Sequence, residues 1–211
     1  GGTGGKPVVS LGARYVHPNV AANLDYAAVI GGCVSCSTIL GARLAGVTPA
    51  GNMPHSLTLL MGDTVSAMQA FDRHMPQEVP RIALVDTFGD EVEESLKVAR
   101  EFQEELRGVR LDTPLERGGV TPELVKELRA RLDLAGFRHV EIMVSGGFNP
   151  ERITKMIEED APVSVFGVGT YVARYPCNPF TSDIHEIDGR PSAKRGRIPG
   201  LTKNARLDRV M

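Results

Sequence analysis

The stretch that decides the fold is Val-Glu-Ile-Met-Val-Ser-Gly-Gly-Phe-Asn-Pro, residues 140–150. Its first part is mostly apolar and rich in β-branched side chains, which predicts a buried strand. The Ser145-Gly146-Gly147 loop follows at once, and Asn149-Pro150 then gives a helix N-cap with proline at the first helical position. A strand, a glycine loop and a helix in direct succession predict a parallel βαβ unit.

The same order recurs on both sides of this stretch. We expect strands at residues 7–11, 47–48, 81–85, 109–111, 140–144 and 163–168, and helices at 18–30, 57–75, 90–106, 121–135 and 150–158. Strands that alternate with long helices predict a parallel α/β fold. A doubly wound sheet and a (β/α) barrel both fit this alternation.

Polar or glycine residues follow almost every predicted strand. These strand-end segments begin at Gly12, Gly51, Asp86, Asp112, Ser145 and Gly167. Polar and glycine residues at so many strand ends favour a barrel, because barrel enzymes carry their active sites on the loops after the strands. A complete barrel takes about 250 residues. We therefore expect an incomplete (β/α) barrel over residues 1–200 and a short basic tail over 201–211.

Two successive glycine loops indicate an anion site. Ser145-Gly146-Gly147 and Gly167-Val168-Gly169-Thr170 each follow an apolar strand and precede a helical segment. Backbone N–H groups in such loops attract anions, and barrel enzymes commonly bind phosphate near their last strands. The alternative is that the glycines only make tight turns between strand and helix.

Charged residues mark two other strand ends. Asp86 follows an apolar run, and Arg110 and Asp112 flank Leu111. Because side chains alternate along a strand, Arg110 and Asp112 share one face. A cation and an anion side by side suit a substrate with hydroxyl and anionic groups. A buried structural ion pair is the alternative interpretation.

Two further residues are candidates for binding and catalysis. Arg14, just past Gly12, could hold a carboxylate or a phosphate through its planar guanidinium group. His55 is expected in a loop after the second strand, where an imidazole could act as acid, base or phosphate acceptor. The alternatives are a solvated loop arginine and an exposed histidine.

Composition excludes several classes of protein. The chain has 24 Lys and Arg against 26 Asp and Glu, a net charge of −2, so it lacks the basic character of a nucleic-acid-binding protein. No apolar run approaches the roughly 20 residues that cross a bilayer. We therefore expect a soluble, cytoplasmic protein without nucleic-acid or membrane partners. The acidic run over 90–105 is interleaved with apolar residues, which predicts a solvated helix face.

The cysteines and histidines give no metal site. Cys33 and Cys36 form a single C-x-x-C motif and Cys177 stands alone, so we interpret the three as ordinary buried residues of a reducing compartment. His17, His74, His139 and His185 lack an acid or a cysteine at ligand spacing. We assign no residue as a metal ligand.

The motifs together resemble nicotinate phosphoribosyltransferase. In order along the chain they are Gly12-Ala13-Arg14 with His17-Pro18, Ile30-Gly31-Gly32, Gly51 to Ser56, Val85-Asp86-Thr87, Arg110 to Thr113, Ser145-Gly146-Gly147, and Phe166 to Thr170. The resemblance spans about residues 7–200 and is strongest to the archaeal-type branch. It implies a type II phosphoribosyltransferase fold, which is an irregular (β/α) barrel beside an N-terminal α/β domain, assembled as a homo-oligomer.

The resemblance also implies a reaction. Nicotinate and phosphoribosyl pyrophosphate would give nicotinate mononucleotide and pyrophosphate for NAD biosynthesis, with Mg²⁺ as cofactor and ATP as a co-substrate. Arg14 matches the position near the pyridine carboxylate, beside the neutral segment that contains Ser37. His55 matches the histidine that ATP phosphorylates.

The other roles follow from the same resemblance. Asp86, Arg110 and Asp112 match positions that serve the ribose, the base and the Mg-pyrophosphate. The 5′-phosphate loops match Gly146, Gly147, Gly167, Gly169 and Thr170, and Ser145, which begins the first loop, is a further substrate-binding candidate.

The chain departs from the family at its ends, and three alternatives stay open. The family's N-terminal domain is absent before Gly1, which leaves open whether this piece acts alone. Quinolinate phosphoribosyltransferase calls for several cations at the strand ends, whereas the six lysines lie in helices or at the termini. Nicotinamide phosphoribosyltransferase calls for an acid in the segment 35–38, which has none. The third alternative is a non-catalytic, phosphate-binding barrel subunit.

Overall fold

The computed structural model describes residues 3–174, 179, 181–203 and 205. The chain divides into two compact units, residues 1–175 and residues 176–211. In the second unit, β7 (Glu186–Ile187) pairs antiparallel with β8 (Arg190–Pro191). Cys177 and most of the predicted tail over 201–211 lie outside the described residues.

The first unit is built on six parallel strands. They are β1 (Val8–Ser10), β2 (Ser35–Cys36), β3 (Ile82–Leu84), β4 (Gly108–Leu111), β5 (Glu141–Val144) and β6 (Val165–Val168). Their spatial order is β2-β1-β6-β5-β4-β3.

This strand order is that of an open barrel. The first strand pairs with the last, and every other pairing joins strands that are consecutive in the chain. In a flat sheet the connection from β2 to β3 would have to pass four intervening strands, whereas around a circle the two are neighbours across one gap. The prediction of an incomplete (β/α) barrel is confirmed, with the opening between β2 and β3.

Eight α-helices are described in this unit. They are α1 (Pro18–Ile30), α2 (Ile39–Ala45), α3 (His55–Met61), α4 (Thr64–His74), α5 (Glu91–Phe102), α6 (Pro122–Leu134), α7 (Pro150–Glu158) and α8 (Thr170–Arg174). The predicted N-caps are present: the Thr121 hydroxyl accepts from the Leu124 N–H, and the Asn149 side chain accepts from the Arg152 N–H. No helix among the described residues is both long and apolar enough to cross a membrane.

One predicted strand, at 47–48, was wrong. The second strand is Ser35–Cys36, followed by α2, and residues 47–54 are irregular. This segment runs beside β2 at the barrel opening, because Ser35 Oγ donates to the Thr48 carbonyl at 2.6 Å and the Ala50 N–H donates to the Cys36 carbonyl at 2.9 Å. Pro49 has no N–H to continue a ladder there.

Apolar side chains from strands and helices form one core. Ala83, Val109, Ile142 and Phe166 of successive strands are fully or almost fully buried, as is Leu128 of α6. Strands covered in this way hold their carboxyl ends fixed relative to one another. The loops that follow them therefore meet on a rigid frame.

Candidate active site

A cavity of about 470 Å³ lies at the carboxyl ends of the strands. All of the predicted site residues except Asp86 line it, and they are Arg14, Ser37, His55, Arg110, Asp112, Ser145, Gly146, Gly147, Gly167, Gly169 and Thr170. Arg110 and Gly167 lie near the ends of strands β4 and β6 themselves, His55 begins α3, and the others come from the segments after β1, β2, β4, β5 and β6. Asp86 contacts this group through His55. The structure thus brings the predicted residues together, although they span more than half of the chain.

Arg14 lies exposed on a short 3-10 turn, Ala13–Tyr15, directly after β1. Its Nη2 donates to the Tyr15 hydroxyl at 2.8 Å, and its guanidinium carbon lies 4.9 Å from the centre of the Tyr15 ring. Within the described part of the chain, no carboxylate forms an ion pair with Arg14. A guanidinium held against an aromatic ring and left without an acid can bind an anionic ligand.

His55 does not lie in a strand-end loop as predicted, because it is the first residue of α3. Its Nε2 lies 3.0 Å from Asp86 Oδ2 and 3.2 Å from Oδ1. The Asp86 side chain is 1% exposed, and that of His55 is 39% exposed. Burial raises the pKa of Asp86, and the hydrogen bond from His55 opposes that rise.

The contact with Asp86 indicates which ring nitrogen of His55 is the donor. A carboxylate accepts hydrogen bonds, so in the neutral imidazole we assign the proton to Nε2, and Nδ1 then has the lone pair. Nδ1 faces Asp112, with 3.9 Å to Oδ2. The imidazole is thereby held with its nucleophilic nitrogen on the side of the cavity.

Arg110 and Asp112 form an ion pair whose members both line the cavity. Arg110 Nη1 lies 3.4 Å from Asp112 Oδ2 and 3.0 Å from Ser145 Oγ, and Nη2 donates to the Met53 carbonyl at 2.7 Å. Ser145 Oγ donates to Asp112 Oδ1 at 2.7 Å. Burial lowers the pKa of Arg110, whereas the negative charges of Asp112 and Asp86 raise it. The structural and functional interpretations of this pair are therefore compatible.

Both glycine loops disfavour larger residues, the first through its backbone conformation and the second through lack of space. Gly146 and Gly147 have φ values of +89° and +72°, in the left-handed region. At Gly169 an added Cβ would lie 2.8 Å from the Tyr15 ring and 3.0 Å from the Leu11 carbonyl. These positions keep the backbone of both loops accessible at the cavity.

Asp25 supports the cavity wall, and sequence reasoning missed it. This fully buried carboxylate of α1 accepts from Ser10 Oγ at 2.8 Å, from Ser37 Oγ at 3.1 Å and from the Thr38 N–H at 2.7 Å. It ties the ends of β1 and β2 to α1. The signal was present, since Asp25 is the one charged residue in the sequence of α1.

The acidic run over 90–105 was predicted to be a solvated helix face, and for Glu91 and Glu94 this prediction is wrong. Both side chains are buried. Thr113 Oγ1 donates to Glu91 Oε1 at 2.9 Å, and Arg117 Nη2 lies 3.5 Å from Oε2. The first turn of α5 faces the loop after β4, so Glu91 holds that loop, whereas Glu94 pairs with Lys97 of its own helix at 2.6 Å.

The described cysteines and acids give no preformed metal site. Burial raises the pKa of the Cys33 and Cys36 thiols, and the charge of Asp25 raises both further. Thiols in this state are poor nucleophiles. Among the described residues, no group of three or more His, Cys, Asp and Glu could hold a metal ion by itself.

A known protein family matches most of the chain. The family described as quinolinate phosphoribosyl transferase, C-terminal domain, matches residues 3–178. Nicotinate phosphoribosyltransferase pncB2 of Mycobacterium tuberculosis is 34% identical over 169 residues, which cover 79% of this chain and 35% of that protein. Nicotinate phosphoribosyltransferase of Bacillus subtilis is 27% identical over 187 residues, 87% of this chain and 37% of that protein.

Solved structures show the same likeness. Nicotinate-nucleotide pyrophosphorylase from Pyrococcus furiosus has a TM-score of 0.83 and 42% identity, over 95% of this chain and 51% of that one. Human nicotinic acid phosphoribosyltransferase shares the fold, with a TM-score of 0.61 and 21% identity over 79% of this chain and 44% of that one. The chain spans between about a third and a half of the length of these relatives.

Proposed function

Because the chain belongs to the family of the quinolinate phosphoribosyl transferase C-terminal domain, we propose that the protein transfers a phosphoribosyl group to nicotinate in NAD biosynthesis. The donor is phosphoribosyl pyrophosphate, and the products are nicotinate mononucleotide and pyrophosphate. The observation that carries the proposal is the placement of Arg14 and the two glycine loops around a single cavity. The names of the relatives support the same substrates.

Nicotinate fits the charges at the acceptor side of the cavity. Arg14 offers one guanidinium without an acidic partner in the described residues, and neighbouring Ser37 is neutral. The other lining guanidinium, Arg110, is already paired with Asp112. One available cation suits a monocarboxylate, whereas quinolinate brings two carboxylates and nicotinamide brings none.

The donor fits the remaining lining. The glycine loops supply backbone N–H groups for the 5′-phosphate. Arg110 and Asp112 lie next to Ser145, the first residue of one of these loops, so they would flank the ribose and its pyrophosphate. As pyrophosphate leaves, the ribose gains positive charge, and fixed carboxylates nearby stabilise that charge.

The carboxylate oxygens at the cavity are also suitable ligands for a magnesium ion that binds together with the substrate. Mg²⁺ is usually held by one or two carboxylates together with substrate phosphates. Asp112 faces the cavity, whereas both Asp86 oxygens face His55 Nε2. Asp112 would therefore hold the ion, which when bound neutralises charge on the departing pyrophosphate.

We also propose that ATP phosphorylates His55. Nδ1 would attack the γ-phosphorus, the bond to the bridging oxygen would break, and ADP would leave. Water then cleaves the P–N bond and releases phosphate. Asp86 holds the proton on Nε2 throughout and keeps Nδ1 toward the cavity, and Arg110 lies on the same side to offset phosphate charge.

The subunits are expected to associate. Helices α1 and α2 expose several large apolar side chains, namely Val20, Tyr26, Ile30, Ile39, Leu40 and Leu44. Exposed apolar surface of this kind is typical of a protein interface. This supports the homo-oligomer that the family resemblance implies.

The experiment is a substrate comparison with the full-length protein. Nicotinate, nicotinamide and quinolinate are each incubated with phosphoribosyl pyrophosphate, Mg²⁺ and ATP, and nucleotide and pyrophosphate are quantified. We expect product with nicotinate at a kcat/KM at least about tenfold above the other two. Preferred use of quinolinate, with release of carbon dioxide, would contradict the nicotinate assignment, and no turnover of any of the three would contradict the transferase proposal.

A further inference from the structure

Arg152 of α7 lies behind the first glycine loop and does not line the cavity. Its Nη1 donates to the Gly146 carbonyl at 2.5 Å, and its Nη2 donates to the Val120 carbonyl at 3.0 Å. The guanidinium carbon lies 4.5 Å from the centre of the buried Phe148 ring. These contacts tie the loop after β5 to the loop after β4 and fix the plane of the guanidinium.

The charge of Arg152 has no acidic partner in the described residues. Arg81, Arg110 and Arg129 also donate to main-chain carbonyls, and each of them pairs with an aspartate. Arg152 forms no ion pair in the described ranges, and burial alone lowers its pKa. An uncompensated cation beside a glycine loop leaves local positive potential for a bound anion.

The bond from Arg152 also fixes the orientation of a backbone donor next to the cavity. A trans peptide is planar, so the carbonyl of one residue and the N–H of the next point in opposite directions. The Gly146 carbonyl points at Arg152, and the N–H of Gly147 therefore points away from Arg152. Gly147 lines the cavity, and its N–H has no acceptor among the described residues.

We propose that Arg152 is a positioning residue for the phosphate monoester of the donor. It fixes the Gly146-Gly147 peptide with the N–H toward the phosphate, and its charge polarises that peptide. This inference rests on the proposed function, because it assumes that the glycine loops hold the 5′-phosphate of phosphoribosyl pyrophosphate. It assigns a role to a residue that never touches the substrate.

The kinetic test uses variants that separate charge from packing. Arg152→Gln removes the charge, and Arg152→Lys keeps it. Arg129→Met is the matched control, since Arg129 donates to the Val140 and Phe137 carbonyls beside the opposite end of β5. We expect Arg152→Gln to raise the KM for phosphoribosyl pyrophosphate about tenfold or more, with the KM for nicotinate within about twofold. Arg152→Lys should have a KM for phosphoribosyl pyrophosphate close to that of wild type, and Arg129→Met should change neither KM.

A second measurement needs no variant. In full-length protein labelled with ¹⁵N-glycine, addition of phosphoribosyl pyrophosphate should move the Gly147 amide proton downfield by more than most glycine amides, because a new hydrogen bond to phosphate deshields it. An unmoved Gly147 resonance on saturation would overturn the positioning role even if Arg152→Gln failed to fold.

The outcomes separate this inference from the proposed function. Wild-type protein that binds no phosphoribosyl pyrophosphate contradicts both. Wild-type protein that binds it, with unchanged KM in folded Arg152→Gln, contradicts the role of Arg152 alone. Use of another pyridine acceptor, with the KM effect of Arg152→Gln intact, contradicts the nicotinate assignment and supports the role of Arg152.

Discussion

His55 Nε2 lies 3.0 Å from Asp86 Oδ2, although the two residues are 31 positions apart and belong to different elements. Asp86 follows β3, and His55 begins α3 across the opening of the barrel. The aspartate is buried and the histidine is partly exposed, so the pair joins the protein interior to the cavity. The carboxylate fixes one ring nitrogen, and the other remains available for chemistry.

Asp86 predicts a pH dependence of stability. Burial raises its pKa above the ordinary value of 3.8, so between these two values the folded state binds more protons than the unfolded state. Stability due to this group is therefore largest at low pH and falls as pH rises through that window. Asp86→Asn removes the effect and keeps an acceptor for His55. As pH rises from about 4, wild type should lose stability relative to Asp86→Asn, so the unfolding free energy of the variant minus that of wild type should increase.

Asp63 is the control with the opposite sign. Hydrogen bonds from Ser66 lower the pKa of this exposed N-cap carboxylate, so its stabilisation is present above the ordinary pKa and is lost as pH falls. The unfolding free energy of Asp63→Asn should decrease relative to that of wild type as pH rises from about 3 to 6. Urea unfolding at several pH values measures the stability of both variants and of wild type. If the stability of wild type and that of Asp86→Asn change with pH in parallel, the predicted contribution of Asp86 is contradicted.

Much of the fold could be predicted because local signals marked the helix ends. The caps at Thr121 and Asn149, each followed by proline, place the starts of α6 and α7. The second strand was missed because Ser35–Cys36 is too short to show an alternating pattern. The β-branched pair at 47–48 imitated a strand, and only its position beside β2 decides its conformation.

The site was predictable where chemistry follows a strand and unpredictable where partners are distant. Arg110, Asp112 and the glycine loops lie at strand ends, so topology alone brings them together. The burial of Asp25 depends on Ser37, 12 positions away, and that of Glu91 depends on Thr113, 22 positions away. A lone charged residue in a helix can mark a buried carboxylate, but the local sequence does not say which distant residue it will contact.

The loop after β6 predicts a steric test of phosphate binding. Gly169→Val places a side chain against the Tyr15 ring and the Leu11 carbonyl, with contacts of 2.8 and 3.0 Å already at Cβ. We expect the affinity for phosphoribosyl pyrophosphate to fall by about tenfold or more while the protein stays folded. Gly51→Ala is the control, because nothing lies within 4 Å of the added Cβ. Calorimetry that finds equal affinity in Gly169→Val and wild type would remove the loop from the phosphate site.

Arg14 predicts selectivity for the acid over the amide. Loss of a charged partner from a bound carboxylate costs about 2–5 kcal/mol, so Arg14→Ala should raise the KM for nicotinate more than about tenfold. Arg138→Ala is a matched control, since Arg138 is exposed and lies outside the cavity lining. Steady-state kinetics with nicotinate and nicotinamide give the answer. Equal use of acid and amide by wild type would refute the role of Arg14.

His55 predicts a phosphorylated intermediate. Nδ1 faces Asp112 at the cavity, while Nε2 is held by Asp86, so a phosphoryl group on Nδ1 would lie beside Arg110 and next to bound pyrophosphate. His55→Ala should abolish ATP hydrolysis and stimulation by ATP. Slow transfer without ATP should remain, because Asp112 and the glycine loops are intact. Incubation of full-length wild type with γ-labelled ATP should give a label that is stable in base and labile in acid, as phosphohistidine is. Absence of the label in wild type, or its persistence in His55→Ala, would show that His55 does not carry phosphate.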